Sequence, residues 1–179
     1  ALLLHERNAA GAEGSPGPTL LVVPMSIVGN WMREAQRFSP SLRVHIHHGA
    51  ERLTGEAFAD KAISSDLIIT TYALAHRDRE MLERVGWHRV VVDEAQNIKN
   101  PSAKQSQAVH ALDAPRRIAL TGTPLENRLS ELWSIMDFCN PGLLGSAGEF
   151  RKHFAVPVER YRDRERGHQL RSLVRPFIL

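Results

Sequence analysis

The chain has 179 residues, 42% hydrophobic and 24% charged, which is the size and balance of one soluble globular domain with a single sizeable core. It has no apolar run long enough to cross a bilayer, the opening Ala1-Leu2-Leu3-Leu4 lacks the basic leader and cleavage site of a signal peptide, and the single cysteine, Cys139, excludes an internal disulfide framework and points to a reducing cytosol. A net charge of +3 with a pI near 9.4 is compatible with a nucleic-acid partner without requiring one.

Short apolar runs alternate with stretches of helical period. Asn8 to Pro18 is rich in Gly, Ala and Pro and reads as a surface loop. Thr19 to Pro24 reads as a buried strand. Ser26 to Phe38 follows, with Ile27, Trp31, Ala35 and Phe38 on one helical face and Ser26 as the N-cap. Leu42 to His48 is a second strand, Leu67 to Tyr72 a third, Val90 to Val92 a fourth and Ile118 to Leu120 a fifth. Helices are expected near Glu56–Ile63, Arg77–Arg84 and Ala103–Ala111. Strands without polar alternation are covered on both faces, so the order argues for an open parallel α/β sheet. A last core-facing helix carries Leu129, Leu132, Trp133 and Met136. Thr123 and Glu126 form its expected capping box, Pro124 takes its first position, and Asn140-Pro141-Gly142 closes it. From Glu159 to Arg175 there are six arginines and three acids, read as a charged helical segment. No internal repeat is visible.

Ligands of open α/β sheets sit beyond the carboxyl ends of the strands. Val90-Val91-Val92-Asp93-Glu94-Ala95-Gln96 delivers two adjacent acids to that edge. Asp93 suits Mg²⁺, Glu94 suits polarising a water that attacks a phosphate, and Gln96 suits reporting the nucleotide state. A solvated strand end is the plain alternative. Thr121-Gly122-Thr123-Pro124, after another apolar strand, bridges such an acid pair to the next helix or is an ordinary capped junction. Pro24-Met25-Ser26 opens a helix whose free N–H groups attract phosphate, or is ordinary capping. His45, His47 and His48 have no further ligand at metal spacing and read as strand and turn residues. Trp31, Trp87 and Trp133 read as packing residues.

Taken together and in order, Leu21-Val22-Val23-Pro24 with Asn30-Trp31, Ile69-Thr70-Thr71-Tyr72, Asp93-Glu94-Ala95-Gln96-Asn97-Ile98-Lys99-Asn100, and the block from Thr121 to Trp133 resemble the Swi/Snf-like branch of superfamily-two helicases. Arg175-Pro176-Phe177-Ile178-Leu179 resembles the end of that family's first lobe, and Asp93 to Asn100 resembles bacterial members. The resemblance implies a RecA-like lobe of the P-loop NTPase type, Mg-ATP as fuel and duplex DNA as track, translocated without strand separation. It implies Asp93 on the metal, Glu94 as catalytic base and Gln96 near the nucleotide. Thr121, Gly122 and Thr123 would couple hydrolysis to movement, and Pro24, Ser26, Thr70 and Thr71 would lie near the DNA backbone.

It further implies a Gly-Lys-Thr loop before the helix that Ala1 to Arg7 completes, and a second RecA-like lobe as partner. Neither is in the sequence. The expected organisation is therefore a partial RecA-like lobe over 1–158, truncated at its first strand, and a charged exit segment over 159–179. A gap or unpaired strand edges should follow from that truncation. The rival reading is a DNA- or protein-binding module of the same fold without catalysis, and a metal-dependent nuclease ranks last. The expected setting is cytoplasmic and nucleoid-associated, with no membrane.

Overall fold

The computed structural model describes residues 2–9, 16–122 and 129–179. Helix α1 (Leu2–Ala9) leads into strand β1 (Thr19–Val23). A 3₁₀ turn over Met25–Ile27 precedes α2 (Val28–Phe38), followed by β2 (Val44–Ile46) and α3 (Gly55–Ile63). Then come β3 (Leu67–Thr71), α4 (Tyr72–Arg77), α5 (Arg79–Glu83), β4 (Arg89–Val92), a 3₁₀ turn over Ala95–Ile98, α6 (Lys104–Ala111) and β5 (Arg117–Ala119). Four helices follow: α7 (Leu129–Cys139), α8 (Ala147–Phe150), α9 (Val156–Tyr161) and α10 (Arg164–Val174).

The five strands are all parallel, in the order β2-β3-β1-β4-β5. The register sets Val23 beside Thr71, Val22 beside Val92, and Val92 beside Ala119. All carboxyl ends therefore reach one edge together. Of the expected gap or unpaired strand edges, the described residues show only edges: the sheet is continuous, with β1 between β3 and β4, and the open edges are those of β2 and β5.

Alternation along each strand splits the core in two, because successive side chains point to opposite faces. Leu20, Val22, Ile68, Val90 and Val92 face α3, α6 and α7 through Phe58, Val109, Ile135 and Phe138. Leu21, Val23, Leu67 and Ile69 face α1 and α2 through Leu3, Val28 and Trp31. Residues such as Leu20 and Ile68 are wholly buried, and each contributes about 1.5–3 kcal/mol to the hydrophobic term. A third cluster joins Leu132 and Met136 of α7 to Phe150, Leu170 and Val174. The arginine-rich α10 is thus docked by its apolar stripe. At the amino edge, α1 is tied to the sheet by Arg89–Glu6 at 2.6 Å and Arg7–Asp66 at 3.1 Å.

Several boundaries differ from expectation. Asn8 and Ala9 belong to α1. Phe38 is 65% exposed, with the Arg37 guanidinium 5.1 Å from its ring centre, so it leaves the core-facing stripe of α2. Tyr72 begins a helix instead of ending a strand, since the Thr71 hydroxyl accepts from Leu74 N and caps α4. The helix expected over Arg77–Arg84 breaks at Asp78, whose carboxylate is pulled to Arg52 at 2.7 Å and to His47 Nε2 at 2.8 Å. The capping box of Thr123 and Glu126, and Pro124 with it, lie outside the described residues. No helix among the described residues is long and apolar enough to cross a membrane.

Candidate functional site

β4 ends at Val92, and the next amide, Asp93 N, still donates to Val22 O at 2.9 Å. The strand thus carries the acid pair to the carboxyl edge before the chain turns. Glu94 then takes a left-handed backbone, φ +51° and ψ +56°. That conformation costs a non-glycine residue about 1–2 kcal/mol, and strain of this kind persists where the surroundings hold it. They do so here: Glu94 N donates to Asp93 Oδ1 at 2.8 Å, Asn97 N and Asn97 Nδ2 donate to Glu94 O at 2.9 and 2.8 Å, and Ala95 N donates to Leu120 O at 2.9 Å.

The Gln96 amide joins the acid pair to the neighbouring strand end. Its Nε2 donates to Glu94 Oε2 at 2.7 Å, and its Oε1 accepts from Thr121 Oγ1 at 3.2 Å. Asp93, Glu94, Gln96 and Thr121 therefore form one hydrogen-bonded group where β4 and β5 end. Gly122 follows in the exposed turn; Thr123 lies outside the described residues. Below the group, Ser106 Oγ donates to Ile98 O at 3.1 Å, and Lys99 pairs with Glu131 of α7 at 3.2 Å.

Two residues of this site were invisible in the sequence as participants. Trp31 Nε1 donates to Asp93 Oδ2 at 2.7 Å, so the tryptophan expected only to pack also holds the acid. Tyr72 OH donates to Asp93 O at 2.7 Å. Burial, followed by the negative charges of Asp93 and Glu94, pushes the Tyr72 phenol far above its ordinary value and keeps it a donor. No local pattern signals either contact, since the partners are 62 and 21 positions apart.

The residues expected near DNA divide. Pro24 is half-buried and Ser26 exposed at the opening of α2. Ser26 is not the N-cap: Ile27 N donates to Pro24 O at 3.1 Å, forming a 3₁₀ turn that absorbs the chain reversal and leaves the hydroxyl without a capping bond. Thr70 and Thr71 are buried. The Thr70 hydroxyl donates to His47 O at 3.2 Å and that of Thr71 caps α4, which leaves backbone groups as what this strand end can offer a phosphate.

Oxygen donors on adjacent carboxylates match Mg²⁺, which takes one or two carboxylates and keeps several waters. Each carboxylate oxygen has two acceptor positions. Asp93 Oδ1 and Oδ2, each taking one hydrogen bond, thus retain capacity toward a hydrated metal. Among the described residues no group of three or more acids, histidines or cysteines converges into a metal cage. The pair therefore fits a metal that arrives with a phosphate ligand. A groove of about 950 Å³ lies between α3, α5 and α6 and is lined by Glu56, Arg77, Glu80 and Lys104, away from the acid pair.

A family model described as the SNF2-related domain matches residues 1–179. The chain is 49% identical over 162 residues to the putative ATP-dependent helicase/translocase YwqA of Bacillus subtilis (strain 168), covering 90% of this chain and 18% of that protein. It is 37% identical over 188 residues to the Zorya protein ZorD of Escherichia coli O139:H28 (strain E24377A / ETEC), covering 90% and 17%. Among solved structures it is similar to the Sulfolobus solfataricus SWI2/SNF2 ATPase core in complex with dsDNA, with 42% identity and a TM-score of 0.84 over 96% of this chain and 35% of that one. The chain spans less than a fifth of the length of these curated relatives.

Proposed function

The chain belongs to the SNF2-related family, and from that premise we propose that it forms part of the first ATPase lobe of a DNA-translocating motor fuelled by Mg-ATP. The observation that carries this reading is the hydrogen-bonded group Asp93–Glu94–Gln96–Thr121 at the carboxyl edge of a parallel sheet. When bound, Mg²⁺ neutralises phosphate charge and orients the reacting oxygens. Asp93 holds the metal through its carboxylate. Glu94 accepts the proton of the attacking water, its side chain aimed by the left-handed backbone and by Gln96. Gln96 and Thr121 pass the occupancy of that site on to Gly122 and Thr123, which couple hydrolysis to movement. Ser26, exposed beside Pro24 at the opening of α2, meets the phosphates of a duplex through donors that read no sequence. The complete motor needs a second RecA-like lobe, toward which residues 159–179 lead. A duplex track implies a cytoplasmic, DNA-associated setting.

The chain has no Gly-Lys-Thr or Gly-Lys-Ser, so these residues supply no phosphate cradle of that type. The alternative reading is a binding module of the same fold without catalysis. Phosphate release by the full-length protein, with and without duplex DNA, separates the two. DNA-stimulated release supports the motor, and binding of DNA without release supports the module.

A further inference from the structure

We propose that Trp31 is a positioning residue for the metal site: its indole N–H orients the Asp93 carboxylate and links that acid to the helix opening at Ser26. The inference rests on the reading of Asp93 as the metal-holding acid.

Three observations carry it. The bond from Trp31 Nε1 to Asp93 Oδ2 is 2.7 Å, at the short end for a nitrogen donor, as expected when the acceptor is charged. Asp93 Oδ1 is held at 2.8 Å by Glu94 N. The carboxylate is thus gripped at both oxygens by donors from different elements, and its plane is set before any ligand arrives. Groups that hydrogen-bond a metal-holding carboxylate fix its orientation and tune its affinity. The third observation is where Trp31 stands. It lies in the first turn of α2, five residues beyond exposed Ser26, and its ring packs with Leu21, Val23, Val28 and Ile69. That packing seats the indole against the sheet about one helical turn beyond the 3₁₀ turn that carries Ser26, so a shift of that turn against a duplex would reach the donor that holds Asp93. No other side chain in the described residues bonds the Asp93 carboxylate and also belongs to α2.

The test uses the full-length protein and a fluorescent ATP analogue titrated with Mg²⁺, reading the Mg²⁺ concentration at half-maximal nucleotide binding. Trp31→Phe keeps the packing and removes the donor. It should raise that concentration about 10-fold, in the range found when a partner of a metal ligand is lost, and should lower the stimulation of ATPase by DNA. Trp31→His keeps a ring N–H and should recover most of the loss. Asp93→Ala should raise the same concentration, and Trp31→Phe added to it should change nothing more, because the indole acts through the carboxylate. A wild-type Mg²⁺ dependence in Trp31→Phe beside a shifted one in Asp93→Ala overturns the inference alone. An unshifted Asp93→Ala overturns the metal reading, and the inference with it. Full additivity of the two changes shows that Trp31 acts only by packing, which also overturns it. If Trp31→Phe does not fold, Trp31→His decides: a dependence close to wild type supports the proposal and one shifted by about 10-fold overturns it.

Discussion

Thr121 Oγ1 donates to Gln96 Oε1 at 3.2 Å, across the ends of two adjacent parallel strands. The other end of that amide donates to Glu94 at 2.7 Å, so one side chain spans the acid pair and the turn that follows β5. Gln96→Ala removes both bonds, and Thr121→Val removes one. A hydrogen bond to a charged group is worth about 1.5–3 kcal/mol, or roughly 10–100-fold in rate if it acts in the transition state. In the full-length protein Gln96→Ala should therefore lower DNA-stimulated ATPase by at least about 10-fold, with a smaller loss in Thr121→Val. The double variant should be no worse than Gln96→Ala alone, because both act on one network. Steady-state ATPase at saturating duplex measures this, and additive losses would show that the two side chains act separately.

On the proposed reading Glu94 takes a proton and Asp93 holds a metal, so the two acids should fail differently. Glu94→Gln keeps the shape and loses the base. Turnover should drop about 10²–10⁴-fold with nucleotide affinity retained. Phosphate release together with binding of the fluorescent analogue checks both halves. Near-normal turnover would remove Glu94 from the mechanism.

The chain by itself, with residues 1–179 only, should release no phosphate from ATP even with Mg²⁺ and duplex DNA. Phosphoryl transfer depends on positioning and charge neutralisation, and an arginine finger alone accounts for roughly 10³–10⁵ in rate. Its binding to a labelled duplex should be weak and independent of sequence, and should fall steeply with salt, because backbone donors at Ser26 contact phosphate only. DNA-stimulated release abolished by Glu94→Gln would show that the phosphate grip lies within these residues. Sequence-selective, salt-insensitive binding would contradict the DNA reading.

Acid should destabilise the fold through the buried group at the end of β2. The Arg52 guanidinium, with His47, holds the Asp78 carboxyl below the usual carboxylate range, and burial holds the His47 imidazole below its ordinary value. Both folded-state values are depressed. Each group therefore stabilises the fold fully above its unfolded value and loses that contribution as pH falls toward its folded value. The loss begins below about pH 6.5 through His47 and continues below about pH 3.9 through Asp78. Melting temperature should fall between pH 7.5 and 5, with a shallower slope in His47→Gln. Asp78→Asn should destabilise the fold at pH 7.5, since it leaves the Arg52 guanidinium without its counter-charge. A pH-independent melting temperature would show that neither group is coupled to folding.

The parallel α/β class, all five strands and the acid pair at a strand end were legible from residue order, because apolar runs and turn residues act over a few neighbouring positions. Leu20-Leu21-Val22-Val23 reads as a strand covered on both faces, and Val92-Asp93-Glu94 as a strand end that brings its acids to where that cover stops. The partners of those acids were not legible. Trp31, Tyr72 and Thr121 reach Asp93, its backbone and Gln96 from other elements, and their separations are set by the strand order β2-β3-β1-β4-β5, which no local pattern encodes. The same holds for Thr70 and Thr71. Their composition suits a phosphate contact, yet the packing of β3 between β2 and β1 buries both hydroxyls and spends them on His47 and on the cap of α4. Local periodicity specified which residues go inside; only the tertiary register decided which polar atoms meet there, because a hydrogen bond depends on ångström-scale distances between segments far apart in the chain.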